Sequence, residues 1–292
     1  SLRPLLIDAA EAHALGMVIY ADDGTATVRH PTLEGSMREG MVFPTTRQFP
    51  AIRATFDDLN KAVSRLANSP LIGNTSLREH YEAEASAYER AAAACAEAGG
   101  WEPDYGTYVV DRVGQALYLV APEYWHRLAL VTSNSKLLTD PAGELGWAEL
   151  RGRFEGAVMG FAGVSVGGNV LEGWLREARP RAVKIADPDW VELTNLNRGE
   201  RMSLRHVVAS RAARFDPRSP WDQPRVSKAE YIAYEQQLVD PYLRCHVYSE
   251  GITRANVDAF LLGDDGEPRL DVLVEETDDP ALKMALREAA RR

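Results

Sequence analysis

The chain has 292 residues and carries 43 acidic against 33 basic side chains, a net charge of −10, so it lacks the clustered basic surplus that nucleic-acid phosphates demand. Hydrophobic residues make up 45%, ordinary for packed globular domains, and no apolar run approaches the roughly 18 residues of a membrane span. Cys95 and Cys245 form no C-x-x-C pair, which argues against a disulfide scaffold and a four-cysteine zinc site; no signal peptide opens the chain, and the cytoplasm is the expected compartment.

In chain order, Gly16 to Val28 suggests two short strands around an Asp22-Asp23-Gly24 turn. Residues 31 to 53 read as loop, with Pro44 and Pro50 breaking any longer element. Phe56, Leu59, Val63 and Leu66 fall at helix spacing, and Ser76 to Glu97 is a stronger alanine-rich helix with Ser76 as its cap. Tyr105 to Asp111 and Gln115 to Ala121 look like a strand pair around Arg112-Val113-Gly114. Residues 1–130 are expected to form a small α+β accessory domain whose role the sequence does not disclose. Residues 122 to 153 connect the halves, with a helix expected from Thr139 to Leu150.

The second half, residues 131–292, is of another kind. Ala157 to Ala162 is a short apolar run of the sort a strand buried on both faces shows. Gly163, Ser165 and Gly168 then occupy the three places of a G-x-G-x-x-G turn, with serine in the middle one. Asn169 to Ala178 is helical, Ala182 to Ala186 is a second strand, and Asp187 closes it where a carboxylate for ribose hydroxyls is expected. Behind it runs Asp187-Pro-Asp189-Trp-Val-Glu-Leu-Thr-Asn195-Leu-Asn197-Arg198. Ser227 to Val239, Arg244 to Tyr248, Thr253 to Leu262 and Leu270 to Val274 continue the alternation of helix and strand. That alternation predicts an α/β fold: a Rossmann-like, mostly parallel sheet with helices on both faces, its ligand at the carboxyl ends of the strands.

These motifs resemble the ThiF/MoeB family, the adenylating domain shared with ubiquitin-activating enzymes. The family pattern is a glycine turn, a D-x-D-x-V-x-x-x-N-L-N-R segment, a lysine on a helix and a strand ending T-D-N. Here those places hold Gly163 to Gly168, Asp187 to Arg198, Lys228 within Arg225-Val-Ser-Lys-Ala-Glu230, and Thr277-Asp278-Asp279. Three departures stand out: Ser165 in a glycine place, Asp279 in an asparagine place, and thirty residues between Arg198 and Lys228, which marks an insertion. Within that insertion Met202 to Ala213 reads as a basic helix. A narrower likeness, through GVSVG, DPYLR, DVLVEE and LREAAR, is to bacterial proteins that fuse a ThiF-like domain to a nitroreductase-like one.

The resemblance implies attack of a carboxylate on the α-phosphate of ATP, the carboxylate belonging to a carrier-protein C-terminus or another acid. It implies that Asp187 holds the ribose hydroxyls, that Gly163, Ser165, Gly168 and Asp189 share in binding the nucleotide, that Asn195, Arg198 and Lys228 bind the phosphates, and that Asp278 carries Mg²⁺. Arg198 and Lys228 would then be the catalytic pair, because the departing pyrophosphate gains charge. Arg127, Lys136, Arg151 and Arg153 are candidates, by location, for the γ-phosphate. The family also implies a homodimer, and the narrower likeness a nitroreductase-like domain beyond Arg292, the last strands of the domain being absent before that residue. Two rival readings remain beside this one: a domain binding NAD or FAD in an oxidoreductase, and a ThiF-like binding module without catalysis.

Overall fold

The computed structural model describes residues 2–21, 25–31, 41–44, 61, 75–98, 105–132, 147–197, 202–204, 206–207 and 226–291. The chain divides into two compact units, Arg3–Leu150 and Arg151–Arg292, the second also including Ser1–Leu2.

The first unit contains, in order, β1 (Leu5–Asp8), α1 (Ala9–Ala14), β2 (Val18–Tyr20), β3 (Thr25–Val28), β4 (Met41–Pro44), α2 (Thr75–Glu97), β5 (Thr107–Asp111), β6 (Ala116–Val120) and α3 (Glu123–Thr132). Two antiparallel sheets result, β1-β5-β6 and β2-β3-β4. The β5–β6 hairpin closes because Asp111 Oδ1 accepts the N–H groups of Val113 at 3.1 Å and Gly114 at 2.8 Å, an Asx turn. Ile7, Val28, Phe43, Val110 and Leu117 are buried together in its core.

Two elements correct the sequence reading. Met41–Pro44 is a strand, not loop; β4 lies at a sheet edge and Pro44 ends it, so the missing N–H disrupts no inner ladder. The stretch β1–α1 was unmarked because Asp8 turns strand directly into helix, its carboxylate accepting the Glu11 N–H at 3.0 Å. Helix α2 begins one residue before Ser76, so that serine lies inside it. Of the helix expected over Phe56 to Leu66, residue 61 alone is described, and the turn at residues 22–24 lies outside the described residues.

Helix α4 (Trp147–Gly156) follows in sequence; it starts later than the expected 139, and residues 133–146 are outside the described set. The second unit then runs β7 (Met159–Ala162), α5 (Gly167–Ala178), β8 (Ala182–Ala186), α6 (Lys228–Val239), β9 (Arg244–Tyr248), α7 (Val257–Leu262), β10 (Val272–Glu275) and α8 (Pro280–Ala289). All strand pairs are parallel and the order is β10-β7-β8-β9. Alternate side chains serve opposite layers, as the pleat requires. Phe161, Val183 and Ile185 pack with Leu171, Leu175, Ala229 and Ala233 of α5 and α6. Ala186, Leu273 and the Tyr248 ring face Phe260, Leu261 and Ala289 of α7 and α8. A sheet covered on both faces explains why the strands read as continuous apolar runs. Among the described residues no helix is long and apolar enough to cross a membrane.

Candidate functional site

In the order β10-β7-β8-β9 the chain leaves β7 toward one side and returns as β10 on the other. This is a Rossmann-type switch point. The crevice outside the carboxyl ends of β7 and β10 is where such sheets bind ligands. Ala162 pairs with Ala186 on one side and Glu275 on the other, so the residues after all three meet there.

Gly163 sits in that crevice with φ +88°, a left-handed backbone favouring glycine. Its N–H donates to Ala186 O at 2.8 Å, and a Cβ on it would stand 2.6 Å from Glu276 O. Strain and backbone contact add, so Gly163→Ala should destabilise this unit by about 2–4 kcal/mol, read by urea denaturation. Helix α5 begins at Gly167 with Val166 as its cap, whose side chain makes no capping hydrogen bond. The first amides of a helix point where an anion is best held.

Two further segments converge beside the turn. Asp187, 5% exposed, accepts the Val164 N–H at 2.9 Å through one oxygen and the Asp189 N–H at 2.9 Å through the other. Burial pushes its carboxyl above the usual range, opposed by those amides and by the Lys228 charge. Asp187 therefore clamps the glycine turn to the D-x-D turn. Lys228 opens α6, which Ser227 and Glu230 cap reciprocally at 3.2 and 2.8 Å. Its side chain is 4% exposed, and Nζ donates to Ser165 Oγ at 3.1 Å and to Asp189 Oδ2 at 3.0 Å. The Lys228 N–H also donates to Asp189 O at 2.7 Å. Gly163, Ser165, Asp187, Asp189 and Lys228 thus meet at one edge of the sheet.

No protein-family model matches the chain. It is 30% identical over 132 residues to the uncharacterized protein MT1398 of Mycobacterium tuberculosis, an overlap of 45% of this chain and 15% of that protein. The chain thus matches only a small part of that relative's length. Among solved structures, the E. coli tRNA N6-threonylcarbamoyladenosine dehydratase TcdA is 20% identical, over 58% of this chain and 57% of its own, with a TM-score of 0.43. TcdA in complex with AMP gives 21%, 60%, 58% and 0.43. A crystal structure of PaaA covers 94% of this chain and 67% of its own at 14% identity and a TM-score of 0.38.

The other sequence-expected site residues either make structural contacts of their own or lie outside the described residues. Asn195 is buried and its Oδ1 accepts the Glu192 N–H at 2.8 Å, closing the single helical turn Leu193–Asn195. Arg198 lies outside the described residues, as do Lys136 and most of the expected Met202 to Ala213 helix. Within that stretch His206 is no free basic group: its ring is buried against Tyr231 and bonded to Glu235 at 3.0 Å. Gly168 is the second residue of α5, where a methyl would stand 3.4 Å from Ile232 Cδ1. Arg127 belongs to the other unit and is buried beside Glu123 at 3.5 Å.

Asp278 is exposed after β10, but its acidic neighbours do not join it as ligands. Glu275 Oε1 accepts the N–H and hydroxyl of Thr277 at 2.8 and 2.7 Å, and the side chain faces Lys283 at 3.6 Å. Asp279 caps α8, accepting from Ala281 at 2.8 Å. No cluster of three metal-ligating side chains occurs among the described residues.

The sequence reading missed one constellation, on the opposite face of the sheet. Lys184 is fully buried in β8 and donates to Ala259 O at 2.7 Å and to Glu267 at 3.1 Å. Tyr248 donates its hydroxyl to the same Glu267 oxygen at 2.5 Å, and His246 Nδ1 lies 3.6 Å from the other. Burial alone would raise the Glu267 carboxyl, but the Tyr248 hydroxyl and the Lys184 ammonium bring it below the usual range. The Tyr248 phenol is pushed well up, by burial first and then by Glu267. A lysine inside an otherwise apolar AVKIA strand was the available signal.

Burial holds the His246 imidazole below its ordinary value, the Lys184 and Arg244 charges acting the same way and Glu267 opposing. The unfolded chain therefore binds this proton at higher pH than the folded one does, and stability falls as pH drops below about 6.5. His246→Gln should flatten that slope in denaturation curves taken from pH 7.5 to 5.

Proposed function

We propose that the unit Arg151–Arg292 binds ATP and adenylates a carboxylate, the activity its ThiF/MoeB-like motifs imply. The observation that carries this reading is the Lys228 ammonium, held against the glycine turn at the switch point by Ser165 and Asp189. A cation tied to the turn that opens a helix suits a polyphosphate.

In the proposed step a carboxylate oxygen attacks the α-phosphorus and the bond to the bridging oxygen breaks, giving acyl-adenylate and pyrophosphate. Such transfer asks the protein for positioning and charge neutralisation more than covalent chemistry. Lys228, joined by Arg198, neutralises the leaving pyrophosphate. Asp187 keeps the two turns in register, and Asp189, 71% exposed beside it, is the carboxylate with room for ribose hydroxyls. Asp278 would be the carboxylate for a Mg²⁺ bound with the triphosphate, and the ion would supply charge neutralisation at the phosphates. The acceptor is proposed to be the C-terminus of a ubiquitin-like or sulfur-carrier protein, and the assembly a homodimer.

Ser165 stands in a glycine place of both the dinucleotide and the adenylating patterns; the Lys228 ammonium bonded to it is what favours a triphosphate over a dinucleotide. Calorimetric titration with ATP, AMP, NAD and FAD, each with Mg²⁺, tests the proposal. ATP and AMP should bind and the dinucleotides should not; binding of NAD or FAD alone would overturn it.

A further inference from the structure

We propose that Ser165 is a positioning residue for Lys228, an inference that rests on the nucleotide reading above. An ammonium has three donors. Two of them go to Ser165 Oγ at 3.1 Å and Asp189 Oδ2 at 3.0 Å, and among the described residues no other side chain bonds it. Asp189 alone would hold the lysine poorly, since its carboxylate is 71% exposed and solvent competes for it. The hydroxyl ties Nζ to the turn between Gly163 and the start of α5. A glycine at 165 offers no side-chain acceptor, so that serine adds a constraint which the bare glycine pattern lacks.

The test uses the full chain and its Ser165→Gly, Ser165→Ala and Ser165→Thr variants, each titrated with ATP·Mg²⁺. Removing the hydroxyl should weaken ATP binding about five- to tenfold, part of what one hydrogen bond to a charged group is worth. Ser165→Thr, which keeps the hydroxyl, should bind within about twofold of the wild type. Wild-type affinity in Ser165→Ala would overturn the inference while sparing the nucleotide reading. A threonine variant as weak as alanine would also overturn it, assigning the loss to packing. A wild type that binds no ATP would overturn both.

Discussion

Lys228→Met should weaken ATP binding about 10- to 100-fold while changing the unfolding free energy by no more than about 1 kcal/mol. The loss follows from removing a cation whose bond to a phosphate oxygen contributes about 1.5–3 kcal/mol. The fold should survive because the partners left behind are a largely exposed carboxylate and a hydroxyl, and methionine fills much the same slot. Binding by calorimetry and stability by urea denaturation must be read together. If the variant loses several kcal/mol of stability, Lys228 is a structural pin between the turns, and its link to phosphate loses its main support.

Glu267→Ala should act in the opposite way, on stability and not on nucleotide. It removes the carboxylate from a lysine that is 0% exposed, leaving Ala259 O as the acceptor the structure gives it, and it strips the Tyr248 hydroxyl of its partner. Breaking a buried pair from one side typically costs about 3–5 kcal/mol, and this site should fall in that range. Lys184→Met should cost far less, since it removes the buried charge and keeps an apolar stem in the strand. The double variant should recover most of the Glu267→Ala loss, a coupling that chemical denaturation of all four proteins measures. Additive losses would show that the pair is not the unit that matters. The acid limb carries the same signature: Glu267, depressed in the folded state, contributes stability above about pH 4.5 that disappears as pH falls through its lowered value.

Much of the second unit was legible because its signals are local. Ala182–Ala186 and Arg244–Tyr248 are short runs with turn residues at their ends, and both strands have the limits the sequence suggests. The Ser227–Glu230 capping box marks the start of α6 and so delivers Lys228 to the site. What was hidden depends on partners distant in sequence. Nothing near Asp187 announces that its carboxylate will be buried between two turns, because that follows from the Val164 amide reaching across the sheet edge. Glu267 looks like one more surface acid until α7 and its loop lay it over Lys184. Asp279 read as a departure at a metal position, and its work as a helix cap depends on Pro280 starting α8 immediately behind it. In the first unit β4 was hidden by its own proline, harmless only because the strand is an edge.

Thermal unfolding with and without ligand tests the central claim most directly. ATP·Mg²⁺ at 100 times its dissociation constant stabilises a native state by about 2.7 kcal/mol, a rise of roughly 5–10 °C in the transition of a unit this size. The wild type should show that rise with ATP and none with NAD or FAD, and Lys228→Met should keep about half of it or less at the same ATP concentration. A transition that ATP leaves unmoved, in a wild type that folds normally, would contradict the account.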